Sequence, residues 1–225
     1  MQNIYVVEAN LAYRPEVVDK IDKLKAKTII DIGGSMNCWL GDRVTHIFDF
    51  NGMDHESNYG KIANKDTYFF LGNISDLEDW QQIFDYVEKN GKFDFCSCTH
   101  TLEDIAYPIV ALRYMPKIAK SGFIAVPSKF WEFQTWWGWR FRGGVHHRWI
   151  FDNDDNVLHL FPKVNLIEYM QSYNDKQNII NTKDNTELRL MWDDSIDYRV
   201  INNDYLGPTT EHVVDMYNRL MVFEK

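Results

Sequence analysis

The stretch TIIDIGGS, from Thr28 to Ser35, decides the fold, together with Asp49 in the later stretch HIFDF. Residues 28–32 place β-branched side chains around a single acid, which is typical of a buried parallel strand. The chain then turns at once on Gly33 and Gly34. Because glycine has no side chain, backbone amides in such a turn can come close to a ligand. The stretch therefore predicts a strand followed by a ligand-binding turn.

Asp49 lies near the end of a second predicted strand, Val44 to Phe50. A carboxylate at the tip of this strand can accept hydrogen bonds from both hydroxyls of a ribose, as in nucleoside-binding α/β folds. Only about ten residues separate Gly34 from this strand. We therefore expect the connecting helix to be short, roughly two turns.

The chain up to Val126 alternates between apolar strand patterns and amphipathic helix patterns. The further predicted strands are Thr67–Leu71, Phe93–Cys98 and Phe123–Val126, and the predicted helices are Pro15–Lys27, Asp76–Asn90 and Leu102–Lys120. This alternation predicts a parallel sheet with helices on both faces. Ligands of such sheets lie beyond the carboxyl ends of the strands, where Gly33, Asp49, Asn73 and His100 all fall. We expect one pocket there.

The segment Lys129 to Arg148 has no regular period and is rich in aromatic and basic residues. Its tryptophans can form a lid, a stacking wall for a sugar or ring substrate, or an interface between subunits of a homo-oligomer. Beyond it, the patterns predict a strand at Val157–Phe161, short helices at Asn165–Ser172 and Thr209–Tyr217, and a hairpin of Leu188–Trp192 with Tyr198–Ile201.

Composition excludes several classes of protein. The length of 225 residues suits a single domain, and the net charge of -9 disfavours nonspecific binding of nucleic acid. No apolar run approaches membrane-spanning length, and the first residues lack the pattern of a secretory signal, so we expect a soluble, cytoplasmic protein without membrane contacts. Cys38, Cys96 and Cys98 make no disulfide framework and are interpreted as packing residues.

From about Thr28 to Val126, the chain resembles the class I S-adenosylmethionine-dependent methyltransferases. DIGGS resembles the family's glycine-loop motif, and FLGNISDL, FDFCSCTHTLEDI and YMPKIAKSGFIAVPS resemble its later motifs in order. The resemblance implies a Rossmann-like, doubly wound, mostly parallel α/β sheet of seven strands with one antiparallel strand, here carrying an aromatic insertion after strand five. The implied division is a single domain, residues 1–225, with a cofactor-binding core at 27–127, a substrate-side insertion or lid at 128–175, and C-terminal strands and helix at 176–225.

The resemblance also implies S-adenosylmethionine as the cofactor and assigns residues to it. The glycine loop would wrap its methionine part, Asp49 would hold the ribose, and Asn73 would contact the adenine. Asp31 would contact the ligand or anchor the loop amides, and both readings stay open. The implied cofactor-binding residues are Asp31, Gly33, Gly34, Ser35, Asp49, Asn73, Ile74 and Thr99.

Two departures from the family pattern bear on the acceptor. Ser35 and Asn37 follow Gly33 where the usual motif has glycines. Thr99 and His100 stand where enzymes that methylate nucleic-acid amines carry an acid or amide. The second departure makes nucleic acid a poor candidate and favours an oxygen, an acid or a small-molecule nitrogen as the methylated atom.

Histidines are the candidate catalytic bases. His100 lies beside the expected pocket, and the ordinary pKa of histidine, near 6.5, suits proton removal at neutral pH. His146 and His147 are adjacent, and on an extended segment they would point in opposite directions, so that only one would face the pocket. We expect Trp137, Arg142 and Arg148 to bind the substrate. We expect no metal, because a metal needs three or four converging ligands, and possible further ligands such as His159 and Asp154 show no ligand spacing with His146 and His147.

The sequence thus predicts methyl transfer to a small-molecule or sugar acceptor, by O- or N-methylation. One alternative is a nicotinamide-dependent oxidoreductase, although the full G-x-G-x-x-G fingerprint is missing. The other is a non-catalytic scaffold protein with a cofactor-binding fold.

Overall fold

The computed structural model describes residues 2–7, 14–34, 38–50, 66–135, 141–169, 186–201 and 210–220. Ser35 and Trp137, predicted to bind cofactor and substrate, lie outside these ranges. The strands are β1 Asn3–Val7, β2 Ile29–Ile32, β3 His46–Asp49, β4 Tyr68–Leu71, β5 Phe95–Thr99, β6 Ser121–Pro127, β7 Trp149–Asp154, β8 Val157–Pro162, β9 Glu187–Asp193 and β10 Tyr198–Val200. The helices are α1 Pro15–Leu24, α2 Gln81–Asn90, α3 Pro108–Ile118, α4 Lys129–Phe133 and α5 Thr210–Leu220, and 3₁₀ turns lie at Gly41–Arg43 and Asn165–Tyr169.

The main sheet has seven strands in the order β1-β9-β6-β5-β2-β3-β4. Strand β9 runs antiparallel to both of its neighbours, and the other pairings are parallel. The predicted doubly wound, mostly parallel sheet is therefore confirmed. The chain order reverses between β2 and β5, and ligands of open α/β sheets bind in the crevice at such a switch point.

The predicted C-terminal hairpin is wrong. Strand β9 lies between β6 and the N-terminal β1, while β10 pairs in parallel with β8 in a second sheet of order β10-β8-β7. Most side chains of β9 are buried on both faces, which is typical of a strand in the interior of a sheet, and its backbone pairs with β1 on one edge and β6 on the other. The sequence patterns did not predict β1, which pairs with β9, and they did not predict that β10 pairs with β8.

Two helix predictions need correction. The helix expected from Leu102 begins only at Pro108, because proline favours the first helical position and residues 102–106 form turns and bends. Pro116 lies in its last turn, and the helix ends at Ile118. The crossover between β2 and β3, expected to hold a two-turn helix, has a single 3₁₀ turn among its described residues.

The second sheet is part of the protein core. Phe151, Leu158 and Leu160 of β7 and β8 belong to the same buried cluster as Leu188 and Leu190 of β9. Strands β7 and β8 therefore pack against the main sheet. The proposed division at residues 128 and 176 stays a prediction. Among the described helices, none combines the length and apolar character needed to cross a membrane.

Candidate functional site

The glycine turn lies directly beyond β2 and is tightly enclosed. Gly33 has a φ of +80°, and its N–H donates to the carbonyl of Phe48, 2.8 Å away. A Cβ on Gly33 would fall 2.4 Å from Cγ2 of Thr101, and one on Gly34 would fall 2.1 Å from Oδ1 of Asp31. Because no side chain fits at either position, the turn packs between the loop after β5 and the carboxyl group of Asp31.

Asp31 is fully buried beneath this turn. Neither oxygen of its carboxyl group has a hydrogen-bond partner among the described residues. Burial, reinforced by repulsion from Asp49, raises the pKa of Asp31 to about 7. The Ser97 side chain and the Gly34 amide lie near enough to the carboxyl group to offset part of this effect, as does Arg14, but neither of the two near groups meets it with hydrogen-bond geometry. An unsatisfied buried carboxyl group at this position is costly for the protein alone, and it is a suitable counter-charge for a cationic ligand.

The raised pKa predicts that Asp31 makes the ligand-free protein less stable as the pH rises. The pKa of this carboxyl group is higher in the folded protein than in the unfolded protein, so folding is favoured when the group is protonated. The resulting stabilisation is lost as the pH rises from 3.8, the ordinary value, to about 7. Between pH 5 and pH 8 the wild type should lose about 3 kcal/mol more unfolding free energy than the Asp31→Asn variant. Urea unfolding of both proteins at the two pH values measures this difference, and parallel pH dependences would contradict it.

Asp49 lies at the end of β3, on the same side of the sheet as Asp31. The parallel register places Asp31 beside Ile47, and Asp49 is two residues further along. Asp49 is 4% exposed, whereas the next residue, Phe50, is 70% exposed. The strand end therefore combines a nearly buried carboxylate with an exposed aromatic ring.

Asn73 follows β4 and shapes the next loop. Its side-chain oxygen accepts a hydrogen bond from the N–H of Ser75, and its own N–H donates to Asp79, 2.6 Å away. Ile74 is buried, and its carbonyl accepts from the indole of Trp80. Asn73 and Ile74 thus fix the loop that ends β4. Thr99 is the last residue of β5, and its carbonyl accepts from the hydroxyl of Thr101.

His100 lies between two buried carboxylates. Its Nε2 lies 2.7 Å from Oε1 of Glu187, and its Nδ1 lies 3.3 Å from Oε1 of Glu103. Burial lowers the pKa of His100, but hydrogen bonds and attraction from these two carboxylates outweigh it and raise the pKa to about 9. A protonated imidazole cannot accept a proton, so the predicted role of His100 as general base does not fit this environment. His100 instead joins the loop after β5 to β9.

Glu187 is the centre of a larger buried network. Arg14 donates to Oε1 of Glu187 at 2.7 Å, and Arg189 donates to Oε2 at 2.5 Å. Burial raises the pKa of Glu187, but His100 and the two arginines lower it to about 2. Arg14 also stacks over the ring of Trp39, 4.8 Å from the ring centroid. The network therefore links the start of α1, the loop after β5 and β9 at one edge of the crevice.

His146 and His147 point the same way, contrary to the prediction. Residues 145 and 146 form a turn in which the N–H of His147 donates to the carbonyl of Gly144, so the segment is not extended. The two rings meet edge to face with centroids 4.5 Å apart. Both Nε2 atoms face Oδ1 of Asp104, at 3.6 Å from His146 and 3.7 Å from His147.

A carboxylate fixes the ring of His147. Nδ1 of His147 lies 2.5 Å from Oε1 of Glu132, whose other oxygen lies 2.6 Å from Nζ of Lys163. The ring stacks on Trp131, with centroids 5.4 Å apart. Gly144 also lies against this ring, because a Cβ added to Gly144 would fall 2.5 Å from Nε2 of His147. Burial lowers the pKa of His147, but Glu132 outweighs it, and the pKa is raised.

The two arginines predicted to bind substrate lie in different environments. Arg142 is buried, and its Nη1 donates to the carbonyl of Phe133 at 2.9 Å, so it supports the end of α4 rather than facing an entering anion. Arg148 is exposed, and its N–H donates to the carbonyl of Glu103, which fixes the segment beside the loop after β5.

The sequence analysis did not single out the charged residues of the networks around His100, His146 and His147. The missed residues are Arg14, Glu103, Asp104, Glu132, Lys163, Glu187 and Arg189. Two signals were available. Glu103 and Asp104 lie in the loop after a strand, a few residues beyond its end, and Glu187 and Arg189 interrupt the otherwise apolar strand ELRLMW on one face.

Comparison with known proteins finds similar solved structures but no match by sequence. No protein-family model matches the chain, and no curated protein matches it by sequence. The methyltransferase domain of bacterial CtHen1 is 11% identical, with a TM-score of 0.41 and 79% of this chain and 95% of that chain covered. The N-terminal domain of EvdMO1, solved with SAH and D-fucose, is 7% identical with a TM-score of 0.36, covering 79% and 80% of the two chains.

A third similar structure is a cyclopropane-fatty-acyl-phospholipid synthase-like protein from Lactobacillus casei, 10% identical with a TM-score of 0.36, covering 79% of this chain and 90% of that chain. The chain is an α/β protein with a doubly wound, mostly parallel sheet, similar in arrangement to solved structures that include methyltransferase domains. At this level of likeness, the residues at the carboxyl edge of the sheet decide which chemistry the protein can perform.

Proposed function

We propose that this protein transfers a methyl group from S-adenosylmethionine to an oxygen or nitrogen of a small-molecule or glycan-type acceptor. The observation that carries the proposal is the arrangement at the switch point of the sheet. The buried, unsatisfied carboxyl group of Asp31 lies under the turn of Gly33 and Gly34, and Asp49 ends the neighbouring strand on the same side.

These residues fit the chemical groups of the cofactor. Asp49 would accept hydrogen bonds from the ribose hydroxyls, and the exposed ring of Phe50 beside it offers a face for a base. Asp31 would face the cationic part of the molecule, and its ionised form is favoured when a positive charge is near. Asn73 and Ile74 would shape the adenine side through the loop that they fix. When bound, S-adenosylmethionine supplies a methyl group activated by its sulfonium centre.

The acceptor would bind on the side of the loops after β5 and β6. Methyl transfer is an in-line displacement, so the protein mainly has to orient the acceptor and exclude water. His100 holds its proton between two carboxylates, so we place the acceptor beside the polar cluster of Asp104, His146 and His147 instead. We propose that Arg148 and the tryptophans of residues 129–148 contact the acceptor. A subunit interface formed by the same residues stays a prediction, and so does a cytoplasmic location.

S-adenosylhomocysteine, the product form of the cofactor, is expected to bind and to raise the melting temperature. A ligand that binds only the folded state stabilises it by about 2.7 kcal/mol at a hundred times its dissociation constant. Calorimetric titration and thermal unfolding with S-adenosylhomocysteine and with NAD test this directly. Stabilisation by NAD alone would replace the proposal with the oxidoreductase, and binding of neither would favour the scaffold.

A further inference from the structure

Asp104, His146 and His147 form an unusual polar cluster between the loop after β5 and the turn before β7. Oδ1 of Asp104 is buried and has no hydrogen-bond partner among the described residues. The two imidazole Nε2 atoms that face it lie 3.6 and 3.7 Å away, too far for hydrogen bonds. Three atoms that can donate electron pairs therefore converge without hydrogen bonds to Oδ1 of Asp104.

We propose that Asp104, His146 and His147 bind a divalent transition-metal ion of the Zn²⁺ type. The three ligand atoms all lie within 4.8 Å of one another. Ligands at roughly 2.0–2.2 Å from a tetrahedral zinc ion stand roughly 3.3–3.6 Å apart. The two distances to Oδ1 of Asp104 are close to this separation. His146 is 68% exposed and Asp104 is 40% exposed at their side chains, so both can make the small adjustment that closes the site.

The hydrogen bond from Glu132 prepares His147 as a ligand. An ionised carboxylate only accepts hydrogen bonds, so Glu132 selects the tautomer of a neutral His147 that carries its proton on Nδ1. Nε2, the atom facing Asp104, then has its lone pair available. Metal-binding histidines usually donate their second ring N–H to a carboxylate or a carbonyl in this way. Lys163 balances the charge of Glu132, 2.6 Å away, and also donates to the carbonyl of Gly144.

The set of ligand atoms decides the class of ion. Imidazole nitrogens suit Zn²⁺ and its neighbours in the first transition row, whereas Mg²⁺ and Ca²⁺ prefer oxygen ligands. Three protein ligands leave a fourth position open for water or another ligand. Because both loops lie at the carboxyl edge of the sheet, an acceptor oxygen is the candidate for this position, and this last step rests on the proposed methyl transfer.

Direct metal titration tests the site without reference to catalysis. The untagged protein, stripped by a chelator and desalted, is titrated with Co²⁺ by visible absorption and with Zn²⁺ by calorimetry. We expect one ion per chain, with a visible Co²⁺ spectrum that shows nitrogen coordination. His146→Ala and Asp104→Asn should each weaken binding at least about tenfold. His159→Ala removes a histidine outside the cluster and should leave the affinity unchanged.

A second variant addresses the orienting carboxylate. Glu132→Gln should weaken metal binding by roughly 10–100-fold while shifting the Co²⁺ spectrum, because the ring of His147 loses its fixed orientation. Thermal unfolding of every variant separates lost binding from lost folding, and the partly exposed His146 keeps the test available if Glu132→Gln does not fold.

The metal proposal is overturned if the folded wild type binds neither ion at one per chain, or if both His146→Ala and Asp104→Asn bind as tightly as the wild type. The cluster would then be an ion pair of imidazolium and carboxylate. Titration of the same samples with S-adenosylhomocysteine keeps this result distinct from the proposed function, because cofactor binding can fail or succeed whether or not the metal binds.

Discussion

Replacing Asp49 with alanine is expected to weaken S-adenosylhomocysteine binding by roughly tenfold or more. Hydrogen bonds to a charged group contribute about 1.5–3 kcal/mol, and a carboxylate at this strand end can accept two from a ribose. Its nearly complete burial strengthens the effect, because the surrounding protein screens the charge less than water does. Calorimetric titration of the wild type and of Asp49→Ala gives the ratio of the two dissociation constants.

Two further variants define what this result means. Asp49→Asn keeps a hydrogen-bond acceptor but removes the charge, so its affinity should lie between those of the wild type and Asp49→Ala. Asp154→Ala removes an exposed acid at the end of β7 in the smaller sheet and should leave binding unchanged. A folded Asp49→Ala protein with wild-type affinity would place the ribose elsewhere.

The main sheet could be predicted from the sequence because its signals are local. TIIDIGGS and HIFDF each combine an apolar run with a glycine or an acid at its end, and the register of β2 and β3 then follows from parallel pairing. The position of β9 could not be predicted in the same way. Its two partners, β1 and β6, lie far away in the sequence, and a short apolar segment such as NIYVV gives little periodicity of its own.

In the candidate site, too, the features with local sequence signals could be predicted, and those that depend on distant contacts could not. Asp31, the glycines and Asp49 lie at strand ends, and the structure brings them together where the pattern placed them. The surroundings of His100 and His147 depend on contacts over 87 and 15 residues of sequence, to Glu187 and Glu132. The turn at residues 145–146 reverses the expected geometry of the two histidines. Sequence patterns indicate a residue type at a position, but the protonation of a histidine depends on which carboxylates fold against it.

Glu187 lies at the centre of the buried ion-pair network beside the crevice. Its carboxylate is fully buried and meets His100, Arg14 and Arg189 at 2.5–2.7 Å. Arg189 in turn binds Glu16, which accepts from the hydroxyl of Tyr5. Strands β1 and β9, helix α1 and the loop after β5 therefore share one chain of charges. Removing the central anion takes from His100, Arg14 and Arg189 the buried carboxylate that they share, whereas a peripheral pair can be lost at little cost.

Glu187→Gln is therefore expected to lower the free energy of unfolding by about 3–5 kcal/mol, the usual cost of removing one member of a buried ion pair. Asp193→Asn is the matched control on the same strand. Asp193 pairs with Lys20 at a partly exposed position, so this substitution should cost about 1 kcal/mol or less.

The pH dependence of the unfolding free energy should also change in Glu187→Gln. In the wild type, the raised pKa of His100 gives stability that is complete below its ordinary value of 6.5 and lost as the pH rises through about 9. Without Glu187, His100 should release its proton at lower pH, so this loss should be smaller and should be complete at a lower pH. Urea unfolding of the three proteins at pH 6, 7.5 and 9 measures both effects, and a cost for Glu187→Gln no larger than that of Asp193→Asn would show that the network does not hold the crevice edge together.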